Sequence, residues 1–158
     1  MTKIRAVHFH PGFETGQSDK PALTDAPFMT EKEQERMEQW VLDIMTGQPL
    51  EGLNKPSWTH GGATLSSAKA YRDNNVWHYH CGPYRSVPPG HRMTGCDLPE
   101  NLMGKPSAAI YHYAKQHDVI VVLGFSREHI PFPDAMSRKN PLRHRSFTWR
   151  MAIPKSGQ

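Results

Sequence analysis

Residues 76–85, VWHYHCGPYR, contain two histidines separated by one residue and flanked by aromatic side chains. Successive side chains of a β-strand point to opposite faces of a sheet, so His78 and His80 would share one face and Trp77 and Tyr79 the other. Two histidines at this spacing suit the chelation of one metal ion, and they equally suit the lining of a substrate groove. The choice between these roles depends on which other residues share the face.

Histidines and arginines recur near the ends of two further predicted strands. His112 lies within AAIYHYA (108–114), and the apolar run VIVVLGF (119–125) ends in Ser-Arg-Glu-His (126–129). A buried strand fixes the position of the polar groups that follow it. The combined candidate set is His78, His80, Arg85, His112, Arg127 and His129.

This set has the groups required when RNA is cleaved by attack of its own 2′-hydroxyl. That reaction needs a base for the hydroxyl proton, an acid for the leaving oxygen and cations around the phosphorane. Histidine serves as either proton carrier near neutral pH, and arginine binds phosphate through two parallel hydrogen bonds. We therefore predict phosphodiester chemistry without a metal ion and without any other cofactor.

Two other interpretations of the histidines remain open. A zinc site would use His78 and His80 with Cys81 or Cys96, and His112 from the next hairpin. However, Cys81 should point away from the histidines, and the chain has no Cys-x-x-Cys or His-x-x-x-His pattern. Alternatively, the histidines are simply solvated on an exposed face of the sheet.

The composition indicates one basic domain with a small core. The chain has 158 residues, 37% of them hydrophobic, with 12 glycines and 14 prolines that favour long loops. Its net charge of +4 is compatible with a polyanionic partner such as RNA. We expect additional RNA contacts outside the histidine face, in a group of basic residues made up of Lys115, Arg138, Lys139, Arg143 and Arg145.

The expected location is the cytoplasm. Two cysteines do not indicate a disulfide framework, so a reduced chain is the default. The first 17 residues have no apolar run typical of a signal peptide. No segment approaches the roughly 20 apolar residues needed to cross a bilayer, so we expect no membrane partner.

The clearest secondary-structure pattern predicts a helix over 31–46. Thr30 and Glu33 form a capping-box pattern at its start, and Gly47 is suited to its end. Met37, Trp40, Val41 and Ile44 follow helical spacing and form one apolar stripe. This stripe should pack against a sheet.

The remaining pattern predicts mostly antiparallel strands joined by loops. Strands are expected at 3–10 and 146–153, and hairpins at 68–72 with 76–80 and at 108–114 with 119–125. The loops are 11–29, 48–62 and 86–107. We predict an α+β fold, with the amphipathic helix on one face of a small twisted, mainly antiparallel sheet and the other face open. Residues 1–158 form a single domain, with a core over about 1–130 and a basic C-terminal extension over 131–158.

Two blocks of the sequence resemble bacterial toxins of the RelE/ParE superfamily, in particular the RelE/YafO-like mRNA interferase branch. The blocks are YRDNNVWHYHCGPYR and AAIYHYAKQHDVIVVLGFSREH, within residues 68–85 and 108–129. Gly82-Pro83-Tyr84-Arg85 resembles the Gly-x-Tyr-Arg element of those toxins. Ser126-Arg127-Glu128-His129 stands where the family's last apolar strand closes on an arginine and a histidine or tyrosine.

The resemblance implies an endoribonuclease toxin of a toxin–antitoxin system, which cuts RNA, on or off the ribosome, and is held inactive by a cognate antitoxin protein. It implies that Arg85 and Arg127 hold phosphate, that His129 transfers a proton and that Tyr84 is a weaker candidate for that role. His78 and His80 are included from strand geometry alone. The alternatives are a non-catalytic protein-binding or inhibitor protein of mobile-element origin and a histidine-ligated metalloenzyme.

Overall fold

A computed structural model describes residues 3–60, 63–64, 66–129 and 135–155. The strands in these ranges are β1 Ala6–Phe9, β2 Asp19–Lys20, β3 Leu23–Thr24, β4 Asn54–Pro56, β5 Thr59–His60, β6 Ala63–Thr64, β7 Val76–His80, β8 Ile110–Gln116 and β9 Val119–Ser126. The α-helices are α1 Pro11–Glu14, α2 Glu31–Thr46, α3 Lys69–Asp73 and α4 Arg143–Thr148. Short 3₁₀ segments cover Ala26–Phe28, Ser66–Ala68 and Trp149–Ala152.

Seven of the strands form one sheet in the order β2-β3-β9-β8-β7-β4, with β1 also paired to β9. The β1–β9 pairing is parallel and the other pairings are antiparallel. Strands β5 and β6 form a separate two-stranded ribbon. The predicted α+β class, with a mainly antiparallel sheet and an N-terminal helix, is confirmed.

Strand β9 is the centre of this sheet, and all eight of its residues are buried. On one side of the sheet, Trp40 and Ile44 of α2 pack with Tyr111, Tyr113 and other apolar side chains in a first core cluster. A second cluster on other sheet residues combines Val121 and Leu123 with side chains from α3 and from the C-terminal segment. The face opposite α2 is therefore partly covered, where the sequence suggested an open face.

Helix α2 begins and ends as its sequence predicts. The Thr30 hydroxyl accepts from the Glu33 amide at 3.2 Å, and the Glu33 carboxylate accepts from the Thr30 amide at 2.8 Å. Gly47 follows the helix in the left-handed conformation, with φ of 79°. Met37, Trp40 and Ile44 are the buried residues of the stripe.

Two of the predicted strands are helical, which corrects the sequence prediction. Residues 69–73 form α3, and Tyr71 packs into the second core cluster. Residues 146–148 form the end of α4, and residues 149–152 form a 3₁₀ turn. Phe147 and Met151 are exposed in these elements, whereas Trp149 is fully buried. The burial of Leu142, Ser146 and Trp149 follows a helical spacing of four and three residues, so the alternating apolar pattern was misleading.

Two predicted loops also contain ordered elements. Residues 11–29 include α1 and the short strands β2 and β3, and residues 48–62 include β4, which forms the edge of the sheet beside β7. The predicted hairpin of β8 and β9 is confirmed, with His117 at positive φ in its turn. Among the described helices, none is long and apolar enough to cross a membrane.

The capping box gives a direct test of what holds α2 in place. Replacing Thr30 by alanine removes the acceptor for the Glu33 amide and should lower the free energy of unfolding by about 1 kcal/mol. Thr30→Ser keeps the hydroxyl and should recover most of this loss. Urea denaturation followed by circular dichroism measures both variants. Equal stability of Thr30→Ala and wild type would show that the cap contributes little here.

Candidate functional site

Three histidine rings from two distant parts of the chain meet on the face of β7 that lies opposite α2. The ring centroids of His78 and His80, both in β7, are 5.7 Å apart. His129, three residues after β9, lies 5.1 Å from the His78 ring and 5.5 Å from the His80 ring. We call these residues the histidine cluster.

A fourth histidine, His112, borders the cluster from β8. It is the cross-strand partner of His78, so both side chains stand on the same face of the sheet. His78, His80 and His112 are each only 6–7% exposed, whereas His129 is exposed. Solvent therefore reaches the cluster from the side of His129.

Serine residues orient the three buried rings. His78 Nδ1 lies 3.0 Å from the Ser57 hydroxyl, and His80 Nδ1 lies 2.8 Å from the Ser107 carbonyl oxygen and 3.0 Å from the Ser107 amide. These two contacts use different tautomers of His80, because the carbonyl oxygen accepts from Nδ1–H whereas the amide N–H donates to an Nδ1 lone pair. The Ser126 hydroxyl donates to the Ala22 carbonyl, so His112 Nε2 donates to Ser126, at 2.8 Å.

All four rings are held in the neutral form at neutral pH. Burial lowers the pKa of His80 to about 4 and, with the nearby charges of His129 and Arg145, the pKa of His112 to about 3. Burial and the neighbouring histidines hold the pKa of His78 well below its usual range. Desolvation and the Lys55 ammonium lower the pKa of His129.

The histidine cluster is also the group of described residues whose geometry could hold a metal ion. One nitrogen from each of His78, His80 and His129 lies within 4.8 Å of the others. His78 Nε2 is buried and has no hydrogen-bond partner among the described residues. Cys81 does not belong to this group, because its side chain lies in the core beneath α2.

A cavity of about 420 Å³ is lined by both predicted phosphate-binding arginines, Arg85 and Arg127. Ser107, whose backbone contacts His80, also lines this cavity and connects it to the histidines. Arg85 is exposed. The two arginines thus line one cavity, which has Ser107 in common with the contacts of His80.

The two arginines differ in the contacts they already make. Arg127 forms a two-pronged ion pair with Glu33, with Nε–Oε2 of 2.9 Å and Nη2–Oε1 of 3.0 Å, and it lies 3.7 Å from Asp19. Its charge is largely used to fix the start of α2 against the end of β9. Arg85 is therefore the better placed of the two to contact a bound anion.

Tyr84 is held away from proton transfer. Its hydroxyl donates to the His80 carbonyl oxygen at 2.8 Å and lies 3.3 Å from the Tyr79 hydroxyl. Burial raises its pKa far above the usual value for a tyrosine. These contacts give Tyr84 a role in supporting the backbone at His80.

The predicted RNA-contacting basic residues fall into two groups. Lys115 donates to the Leu98 carbonyl at 2.7 Å and stacks over Trp77, and Arg145 pairs with the buried Asp25 at 2.9 Å. These two side chains are thereby engaged within the fold. Arg138 and Lys139 are exposed, and Arg143 is partly buried over the Phe147 ring.

Sequence reasoning missed Lys55, Ser57 and Ser107 as parts of the site. Lys55 is the cross-strand partner of His78, but residues 48–62 were predicted to be a loop. Pro56 is compatible with a short edge strand, but three residues are too few to show a recognisable alternation. Ser107 lies at the end of a long segment without regular strands and carried no signal of its own.

The lowered pKa values predict a loss of stability in acid. The unfolded chain binds protons on its histidines below pH 6.5, whereas folded His112 stays neutral down to about pH 3. The free energy of unfolding should therefore fall between pH 6.5 and pH 4, with His112 contributing up to ~1.4 kcal/mol per pH unit. Urea denaturation of His112→Gln at several pH values should show a shallower fall. His117→Asn, at an exposed turn position, is the control, and an unchanged slope in His112→Gln would contradict the assignment.

Comparisons with protein-family models, with characterised protein sequences and with solved structures find no match to this chain. The function has to be inferred from the geometry of the histidine cluster and of the arginine-lined cavity.

Proposed function

We propose that the protein is an endoribonuclease that cleaves RNA by attack of the ribose 2′-hydroxyl at the histidine cluster. The observation that carries this proposal is the meeting of His78, His80 and His129, together with a cavity that is lined by Arg85 and Arg127 and connected to His80 through Ser107. Proton-transfer groups and a phosphate-binding group are the two requirements of that reaction.

The base in this mechanism is a neutral imidazole. A ring with a lowered pKa keeps its lone pair at neutral pH and can take the proton of a 2′-hydroxyl. His129 is the ring that an RNA strand can reach, because it is exposed while the other rings of the cluster are buried. His78 and His80 would flank it and relay that proton to the 5′-oxygen as the P–O5′ bond breaks, so that the proton taken from the 2′-hydroxyl ends on the leaving group.

Two cations would stabilise the charge on the phosphorane. Lys55 is close enough to lower the pKa of three cluster histidines, and Arg85 is exposed in the cavity that Ser107 connects to His80. Arg127 would reinforce the phosphate contact only by sharing its guanidinium with Glu33. The proposal therefore assigns phosphate binding mainly to Arg85 and, through electrostatics, to Lys55.

The proposal includes the cellular setting implied by the sequence resemblance. The protein would act on RNA in the cytoplasm, and an antitoxin protein would bind it and keep it inactive. Exposed Arg138 and Lys139 would add sequence-independent contacts to the RNA backbone.

Cleavage of a defined RNA tests this function directly. Tag-free protein in chelator, with and without ribosomes, should cut a single-stranded RNA and leave a 2′,3′-cyclic phosphate. His129→Ala should slow cleavage by about 10²-fold or more, since it removes the accessible base. Arg85→Ala should slow it by at least about tenfold through loss of a phosphate contact.

The controls use exposed residues of the same types away from the cluster. His117→Asn and Arg92→Ala should cleave at the wild-type rate. A substrate with deoxyribose at the cleaved position should resist the enzyme, because the attacking hydroxyl is absent. Intact RNA in both arms, from folded wild-type protein, would overturn the nuclease proposal and favour a protein-binding role for this face.

A further inference from the structure

We propose that His78, His80 and His129 form a binding site for one divalent transition-metal ion of the Zn²⁺ class. The three available nitrogens lie within 4.8 Å of one another, a span that one ion can bridge with small movements of the side chains. Two ligands come from β7, which is part of the sheet, and the third is His129, three residues after the end of β9. This inference concerns binding and stands independently of the nuclease proposal.

The hydrogen bonds around the rings select the nitrogen that would bind the ion. With its proton on Nδ1, His78 donates to the Ser57 hydroxyl and leaves the Nε2 lone pair free for a metal. In the tautomer with its proton on Nδ1, His80 donates to the Ser107 carbonyl and likewise leaves Nε2 for a metal. Metal-ligating histidines commonly donate their other ring N–H to an oxygen acceptor, which fixes the ring and its tautomer.

The buried Nε2 of His78 is the strongest single indication of a ligand. This atom has no partner among the described residues, although the ring is almost fully buried. An unsatisfied buried polar atom costs about 1–3 kcal/mol in a folded protein. A metal ion held with His80 and His129 would satisfy this atom where the protein itself does not.

The chemistry of the three donors indicates which metal ions would bind. The ammonium group of Lys55 nearby opposes binding and will reduce the affinity. Three imidazoles without a carboxylate suit Zn²⁺, Co²⁺, Ni²⁺ or Cu²⁺ better than Mg²⁺ or Ca²⁺, which prefer oxygen ligands.

Metal binding would regulate the activity, and this consequence rests on the proposed function. The lone pair that takes the 2′-hydroxyl proton is the same lone pair that would bind the ion. An ion bound to His129 therefore removes the accessible base, so one equivalent of Zn²⁺ should inhibit RNA cleavage and a chelator should restore it.

Binding of Zn²⁺ alone to metal-free, tag-free protein, measured by competition with a chromophoric chelator, tests the site without reference to RNA. We expect one ion per chain with affinity in the micromolar range or tighter. His129→Ala should weaken binding by at least 100-fold, and because this side chain is exposed, the variant should keep its fold. Ser57→Ala should weaken binding by about 10–100-fold through loss of the contact that orients His78.

Co²⁺ provides a spectroscopic readout that a purely structural role of the histidines would not produce. Visible absorption bands typical of low-coordinate Co²⁺ should appear with wild type and with the control His117→Asn, and should be lost in His129→Ala. No stoichiometric Zn²⁺ binding by wild type, or equal binding by wild type and His129→Ala, would overturn the site. Stoichiometric binding by a protein that leaves RNA intact would support the site and contradict only the nuclease proposal.

Discussion

The burial of β9 is the constraint on which the rest of the fold depends. A strand whose eight residues are all buried must be covered on both faces of its sheet. Helix α2 covers one face, and α3 with the C-terminal segment covers part of the other. The histidines of β7 and β8 lie in the part of this second face that remains, which explains why they are buried and yet adjoin solvent at His129.

Desolvation of the buried rings determines what the histidines can do. Exposed histidines would be partly cationic near neutral pH and would act mainly as a positive surface. In their buried setting they are neutral, and their lone pairs become the functional groups. Positive charge comes from Lys55 and Arg85 at the margin, so proton acceptors and cations are separated in space. That separation is compatible with both proposals made for the site.

The predictable parts of the fold are those specified by local sequence. Helix α2 has a capping box, an apolar stripe and a terminal glycine, and each of these acts over a few residues. His78 and His80 point to the same face of the sheet because side chains alternate along a strand with a period of two residues. Their meeting with His129 requires the order β7-β8-β9, which depends on long-range pairing that a single sequence does not reveal.

The sequence predictions that were wrong have equally specific causes. In 146–153, an alternating apolar pattern suggested a strand, but of the alternating residues Phe147, Trp149, Met151 and Ile153 only Trp149 is buried. The segment is helical, and the Trp149 indole donates to the Asn74 carbonyl. Lys55 and Ser57 were missed because a three-residue edge strand that contains proline has almost no sequence signature. The ion pair of Arg127 with Glu33 joins residues 94 positions apart, so an arginine that looked available for phosphate is partly committed to the fold.

The two cysteines have such different surroundings that they would report on different states of the protein. Cys81 is buried beneath α2, and burial raises the pKa of its thiol to about 12, whereas Cys96 is partly exposed. Only the thiolate reacts readily with alkylating reagents. A reagent at neutral pH should therefore label Cys96 in the native protein and reach Cys81 only in molecules whose helix has left the sheet. Cys96 is thus a selective attachment site for a dye, and the rate at which Cys81 is labelled reports how often the core opens.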